Sequence, residues 1–512
     1  MARRRVRARE AGVCITCFKV RPERERLICR ECRSAATART NRRRAKKREF
    51  AQPAAIAASH ERRGDEAYAR HLYADAAACY REAVNVAGAA PDMQLRITEK
   101  LAKALALGAD PAAAKTLLER VLAVHRENSI ESAKTVEILL QQARQVFAES
   151  GMPEAFPLAA QALQIAKLLG DARLCKLAGV RIASYLYGLA RYEEAHEHLA
   201  ATRLDCEDGD RPARSMYHMV KGNLCAAYGE AAEAFDHYER AVRLAEDEGD
   251  LYHLGRVWIG YASVALSLGD IGLSDSCCER ALALAQRYDL TLLLPDMNLS
   301  HADVLMRAGR YDVALERLRD ALARGVQAPF LVGAALAEFG IPLALHVNDE
   351  RTLTECVRPH AIELAFRSEM PTTIAPVAAA FAQLYASRGR FRAARELLHR
   401  ALRAVNRLTQ RIDFPVAVAR YGSRRDVPSA RRLLERLVVL PNSNVAQAQL
   451  ALFDAYVARR NGDVPAMRRG AADAAARYDR LGWHGYAATA RAPETAPDPI
   501  TVEKFVALPS NR

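Results

Sequence analysis

The sequence predicts an all-α protein, an α-solenoid of about eleven helix pairs behind a short, basic, cysteine-rich N-terminal segment. Three observations predict it. Small residues return at a step close to 40 from about residue 61 to 490, the mark of stacked repeats. Half of the 512 residues are hydrophobic yet only 6% are aromatic, so the apolar share is alanine-rich and suits closely packed helices. Residues 1–50 hold 18 Lys and Arg against 5 Asp and Glu, leaving 57 against 56 elsewhere, so the net charge of +14 belongs almost wholly to one end. A chain this long would ordinarily divide into several domains, but a solenoid escapes that count because each unit packs only on its neighbours.

The chain opens with MARRRVRARE, then places eleven residues between the pair Cys14 and Cys17 and the pair Cys29 and Cys32. Two CxxC pairs at this spacing can bring four thiolates to the corners of a tetrahedron, which is the geometry Zn²⁺ adopts. Because all four ligands are cysteines, no position is left for water and the expected ion is structural. A segment too small to bury a core would draw its folding free energy from that metal. The other seven cysteines, Cys79, Cys175, Cys206, Cys225, Cys277, Cys278 and Cys356, are scattered, which argues against a disulfide framework and for a reducing compartment.

After Cys32 the run RSAATARTNRRRAKKREF contains no Gly or Pro and predicts a helix leaving the second knuckle. In this the module resembles treble-clef-like zinc fingers. Arg39, Arg42, Arg43, Lys46 and Lys47 recur at three- and four-residue steps, flanked by Arg44 and Arg48, and such a face attracts a phosphate backbone. Phe18 and Phe50 are the only aromatics of residues 1–50, too few for base stacking, so duplex DNA or structured RNA is the expected partner. Ribosomal RNA stays open too, since short four-cysteine modules with basic tails occur on ribosomal proteins. Residues 51–60, AQPAAIAASH, are interrupted by Pro53 and read as a linker or helix break.

Residues 61–490 read as the repeat array, with Gly222–Ala241 as its template. Two short amphipathic helices meet at Gly229; Gly222, Ala234 and Ala241 let backbones approach, and Tyr238 fills the gap between pairs. Anchors equivalent to Ala234 are Ala76, Ala114, Ala155, Ala195, Ser274, Ala314, Thr354, Ala394, Ala430 and Ala466. Twelve residues before the anchors stand Gly64, Ala102, Ala143, Ala183, Gly222, Ala262, Ala302 and Ala382, with Pro342, Val418 and Asp454 as exceptions. This phrase resembles the tetratricopeptide repeat, which implies a right-handed superhelix of helix hairpins. Its step exceeds the roughly 34 residues of the standard repeat and resembles the longer repeats in sensor regions of bacterial transcription regulators. Gly340-Ile-Pro342, Arg358-Pro359 and Tyr421-Gly-Ser interrupt the pattern and should bend the array or open a pocket. Trp483 and Tyr486 are expected to cap the core, and 491–512, with Pro493, Pro497 and Pro499, to form an extended tail.

The same resemblance implies a concave wall made by the first helix of each pair. One residue after each small position, Asp65, Lys103, Arg144, Ser184, Asn223, Ser263, Asp303 and Gln383 should face it. All are polar, and a peptide or protein is expected in the groove. Lys221-Gly222-Asn223 resembles the family's peptide-holding motif, but Met219 occupies the place of the clamp lysine, which weighs against a C-terminal carboxylate as ligand. His196 and His198 sit about 200° apart on a helix and make a poor metal pair. Cys277 and Cys278 could form a reactive pair, but Cys278 replaces the large packing residue and reads as core.

No apolar run reaches 18 residues and no apolar stretch follows the basic start, so neither a membrane span nor a signal peptide is expected, and the expected compartment is cytoplasmic. No phosphate-loop, dinucleotide, HExxH or GxSxG phrase occurs, which points away from an enzyme. Two readings follow: a regulator whose zinc module grips DNA or RNA while the solenoid binds a peptide or protein, or an adaptor whose basic arm anchors it to the ribosome, RNA or an acidic protein surface.

Overall fold

The computed structural model describes residues 30–87, 91–107, 110–127, 132–202, 211–288, 290, 293–323, 333–358, 360–408 and 413–492, with a few isolated positions before residue 30. All regular structure among them is helical. The chain forms two compact units, Met1–Ala104 and Leu105–Arg512.

The N-terminal unit is built on α1 (Arg30–Ala69), α2 (Tyr73–Val86) and the start of α3 (Pro91–Leu107). The helix expected after Cys32 is present, but it does not stop. Residues 51–60 are helical throughout and Pro53 lies inside α1, so the expected linker is absent and the basic run shares one helix with the first hairpin. Pro53 removes a single intrahelical bond, and the alanines around it are the best helix formers available. Where α1 meets α2, a Cβ on Gly64 would fall 2.5 Å from Cε1 of Tyr80, so only glycine admits that ring. The Tyr80 hydroxyl donates to Asp65 at 2.7 Å. Arg96 and Lys100 of α3 grip Glu61, and Lys100 also holds Asp65. Burial alone would raise the Glu61 carboxyl, but these two cations hold it below the usual range.

The second unit stacks hairpins: α4 (Pro111–Glu127), α5 (Ala133–Ser150) with α6 (Met152–Leu169), α7 (Ala172–Gly188) with α8 (Tyr192–Thr202), and α9 (Arg211–Ala227) with α10 (Ala231–Glu248). Next come α11 (Leu251–Leu268) with α12 (Ile271–Arg287), and α13 (Leu294–Arg307) with α14 (Tyr311–Ala323). An irregular unit follows: a π-turn at Leu336–Gly340, α15 (Ile341–His346), α16 (Glu350–Cys356) and the extra α17 (Ala361–Arg367). The array resumes with α18 (Pro371–Ser387) and α19 (Phe391–Ala404), then α20 (Phe414–Tyr421) and α21 (Val427–Val438), then α22 (Asn444–Arg460) and α23 (Val464–Arg480), and ends at α24 (His484–Arg491). This is the α-solenoid of tetratricopeptide-like hairpins that the spacing implies. Aspartates start several helices, as where Asp250 and Asp270 accept the backbone N–H of His253 and Leu273.

Ten of the anchors sit in the core as the spacing requires or within a residue of it; the exceptions are instructive. Ala76, Ala114, Ala155, Ala195, Ala234, Ser274, Ala314, Ala394 and Ala430 are all fully buried. Thr354, by contrast, is exposed, and Thr352 takes its place. Twelve residues before Thr352 is Gly340, where a Cβ would lie 2.5 Å from Sγ of Cys356. The small residue of the eighth unit is therefore Gly340 and not Pro342. The shift has a local cause: Pro342 has no N–H for the Glu338 carbonyl, and the chain relaxes into a π-turn there. In the eleventh unit the frame moves by one, with Ala455 and Met467 buried in place of Asp454 and Ala466.

The array also meets itself. Thr372 donates to the Gly188 carbonyl at 3.3 Å, Arg407 pairs with Glu193 at 2.7 Å, and Asn442 donates to the Gly229 carbonyl at 2.8 Å. Gly229 has φ +78°, and a Cβ on it would sit 2.1 Å from the Pro441 carbonyl oxygen, so both its conformation and its neighbour require glycine.

Candidate binding groove

The residues expected to face the groove divide between two cavities of the second unit. Ser184, Asn223 and Ser263, from α7, α9 and α11, line one of about 400 Å³. Asp303 and Gln383, from α13 and α18, line another of about 500 Å³. Glu338, in the π-turn, borders both, as does no groove residue chosen from the repeat spacing. Helix period explains the first set: the three residues hold equivalent positions on consecutive first helices. The second cavity opens where the eighth unit loses its regular hairpin, and Pro342 and His346 form part of its wall. Lys103 belongs to α3 and is half-buried, and Arg144 lies half-buried on α5.

Not all of these side chains point at solvent with idle groups. Asn223 accepts the Tyr238 hydroxyl at 2.8 Å, repeating the Tyr80–Asp65 bond of the first hairpin at the same separation of 15 residues. Asp303 is only 1% exposed and accepts from Nε of Arg307 at 2.9 Å. Arg307 is itself buried; it lies 3.6 Å from Asp413 and stacks on Trp483 and Tyr486 at 4.6 and 4.7 Å from the ring centres. Asp413 also accepts from Gln449 and from the Tyr486 hydroxyl, both at 2.7 Å. Burial opposes the Arg307 charge, but Asp303, Tyr486 and Asp413 together hold its pKa above the usual guanidinium range. The expectation that Asp303 faces a ligand is therefore corrected: it borders the cavity but serves a buried ion pair. Trp483 is fully buried in this cluster.

Met219, in the place of a clamp lysine, lines the smaller cavity with Tyr187 and Arg256. Sequence reasoning missed Arg181 and Arg256 because it took one residue per helix. Arg181 precedes Ser184 by three and Arg256 precedes Ser263 by seven, both on the same helix face, and reading the whole face would have found them.

Of the four expected zinc ligands, Cys17 and Cys32 are described and half-buried, with Cys32 in the first turn of α1, where the helix dipole favours a thiolate. Cys14 and Cys29 lie outside the described residues. All seven basic positions expected to contact nucleic acid, Arg39, Arg42, Arg43, Arg44, Lys46, Lys47 and Arg48, lie on α1, and Arg39 is exposed. His196 lies 2.9 Å from Lys221. Cys277 and Cys278 are buried and desolvation pushes both thiols up, Cys277 to about 12, as a core role requires. No described helix is long and apolar enough to cross a membrane.

No protein-family model matches the chain, and no curated protein matches its sequence. Among solved structures it is similar to a Rap protein complexed with Competence and Sporulation Factor, at 14% identity over 77% of this chain and 99% of that one, with TM-score 0.43. It is also similar to aspartyl phosphate phosphatase F from Bacillus subtilis, at 13% identity over 69% and 94%, TM-score 0.40. A third is the yeast Tom70, at 14% over 88% and 98%, TM-score 0.31. The fold described above rests on the hairpin packing itself and not on these similarities.

Proposed function

We propose that the chain is a non-enzymatic regulator: a four-cysteine structural zinc module with a basic helix contacts DNA or structured RNA, and the solenoid groove binds a peptide or protein. The observation that carries the groove half is the cavity of about 400 Å³ lined from equivalent positions of three consecutive first helices, a row of polar side chains that an extended peptide could engage. For the other half, Cys14, Cys17, Cys29 and Cys32 would supply four thiolates, the donor set of a closed zinc site, and the metal would fix the start of α1. Because α1 is one helix from the basic run to the first hairpin, a change in that hairpin reaches the basic face without crossing a loop. This favours the regulator over an adaptor whose arm merely tethers it.

The test is binding of labelled duplex DNA and structured RNA to the full chain and to a variant with Arg39, Arg42, Arg43, Lys46 and Lys47 changed to Gln, across a range of salt. Five phosphate contacts give a log–log salt slope of about −4 to −5 for duplex DNA. The variant should lose most of that slope. Equal binding and slope in both proteins would refute the assignment, and the probe preferred by the unaltered chain identifies the nucleic acid.

A further inference from the structure

Three arginines of the second unit have no carboxylate partner among the described residues. Arg144 of α5, Arg181 of α7 and Arg256 of α11 come from three different hairpins, and the positive charges of Arg144 and Arg256 both act on Arg181. Arg144 reaches across to α11, where its guanidinium lies 5.6 Å from the Tyr252 ring centre. Nε of Arg181 is shielded from solvent with no hydrogen-bond partner, and so is the hydroxyl of Tyr185, one turn further along α7. Among the described residues, no carboxylate pairs with any of the three arginines. Asp250 is engaged with the start of α11, and Asp296 and Glu338 border the cavity that Arg256 lines without pairing with it. Buried charges in folded proteins are almost always paired, so the unmet Nε of Arg181, with two further guanidinium charges acting on it, describes a site whose counter-ion arrives from outside.

We infer that Arg144, Arg181 and Arg256, with the Tyr185 hydroxyl, form an anion-binding site that takes a carboxylate side chain of an acidic peptide lying in the groove. The inference rests on the groove reading above, because Arg256 lines the same cavity as Ser184, Asn223 and Ser263. Guanidinium forks match carboxylate oxygens in pairs, and Met219 leaves the site to acidic side chains instead of a chain terminus held by a lysine clamp. Burial and the two neighbouring arginines both act against the Arg181 charge, while the same burial raises the Tyr185 hydroxyl and keeps it a donor.

Fluorescein-labelled hexaglutamate, with hexaglutamine as neutral control and inorganic phosphate as small-anion competitor, tests this by anisotropy. The full-length protein is used with the five basic residues of α1 changed to Gln, so that the arm does not bind the probe. Hexaglutamate should bind at least about 10-fold more tightly than hexaglutamine, and Arg181→Gln or Arg256→Gln should each weaken it by about 10- to 100-fold while leaving hexaglutamine unchanged. The unliganded Arg181→Gln protein should melt higher than its parent, because a repelled cation is gone; a purely structural arginine would do the opposite. Hexaglutamate binding that is indifferent to both substitutions overturns the site, as does a lower melting temperature in both variants. Binding of phosphate without hexaglutamate overturns the peptide assignment. So does hexaglutamate binding seen only after Asp205, Glu207, Asp208 and Asp210 are neutralised, since the counter-ion would then be the chain's own. Random-peptide display on the same protein separates this inference from the groove reading. Selected peptides that are blocked by Ser263→Trp but carry no acids leave the groove and remove the anion site. Selection that ignores Ser263→Trp, or yields no peptide, removes both.

Discussion

Replacing Gly222 by alanine places a methyl carbon 2.7 Å from Cδ2 and 2.9 Å from Cε2 of Tyr238, and 3.1 Å from the Ala234 carbonyl oxygen. Tyr238 cannot retreat. It is fully buried, a Cβ on Gly260 would lie 2.7 Å from its hydroxyl on the far side, and that hydroxyl is tied to Asn223. Overpacking of this kind costs about 2–3 kcal/mol, and the better helix propensity of alanine offsets about 1 kcal/mol of it. The net loss is about 1–2 kcal/mol, which is a factor of roughly 5–30 in a local opening equilibrium. Because a solenoid need not unfold in one step, the fitting assay is native-state hydrogen exchange of α9 and α10 instead of a global melt. The partner change is Tyr238→Leu: in the hairpins with Ala183 and Leu199, Ala302 and Leu318, and Ala382 and Leu398, alanine and leucine hold the equivalent positions and both are buried. Gly222→Ala with Tyr238→Leu should therefore cost less than the sum of the two changes by about 1 kcal/mol or more. Costs that add within about 0.5 kcal/mol would refute the view that residue 222 and residue 238 are chosen as a pair.

The other predictions draw on different forces. Asp303→Ala leaves the buried Arg307 short of its best partner and should destabilise the end of the array by about 3–5 kcal/mol, read as faster exchange in α13 and α24; no change there would mean Asp413 alone suffices. Gly229→Ala must adopt a left-handed backbone against the Pro441 carbonyl and should cost about 3 kcal/mol, releasing the turn at 440–443 as well as its own. For pH, desolvation and the neighbouring His237 push the imidazole of buried His218 down to about 4. The folded state then binds fewer protons than the unfolded state between pH 6.5 and 4, so stability is complete above that window and lost as pH falls through it. The loss at pH 5 is about 2 kcal/mol, and His218→Gln should flatten the urea midpoint between pH 7.5 and 5. Cys29→Ser should release zinc, measured by atomic absorption, and leave the far-ultraviolet helical signal nearly intact; loss of that signal would show that the repeats depend on the metal.

What could be read from the sequence depended on how local the controlling physics is. Close approach of two helices demands a small residue at one site and a complementary one 16 positions on, so Gly64 with Tyr80 and Gly222 with Tyr238 announce their hairpins without any knowledge of the rest. The spacing failed where one backbone group was missing. Pro342 removes a donor, the helix gains a π-turn, and the frame slips by two, which turned Gly340 from an interruption into the packing glycine. Pro53 misled in the other direction, because a proline with strong helix formers on both sides is tolerated and α1 continues through it. Asp303 was misread for a different reason. Its place on the helix face is correct, but its partner Arg307 is held by Trp483, Tyr486 and Asp413, more than a hundred residues away, and no local pattern reports that.

Those distant contacts bear on how the groove can work. A solenoid with only nearest-neighbour contacts flexes like a spring, and a ligand can widen it gradually. Here Glu193 with Arg407, Gly188 with Thr372, and Gly229 with Asn442 tie early hairpins to late ones, and the Asp303–Arg307–Asp413 cluster ties the seventh unit to the tenth. Gradual widening would break these ties one after another, each break exposing a carbonyl or a charge that the tie had satisfied. A peptide entering the two cavities must then either fit the space present or open several ties together. The first gives a rigid adaptor, and the second gives the discrete two-state element that regulation requires. Glu338, which alone among the described residues borders both cavities, sits in the π-turn, at the point where a ligand in one cavity would be felt in the other.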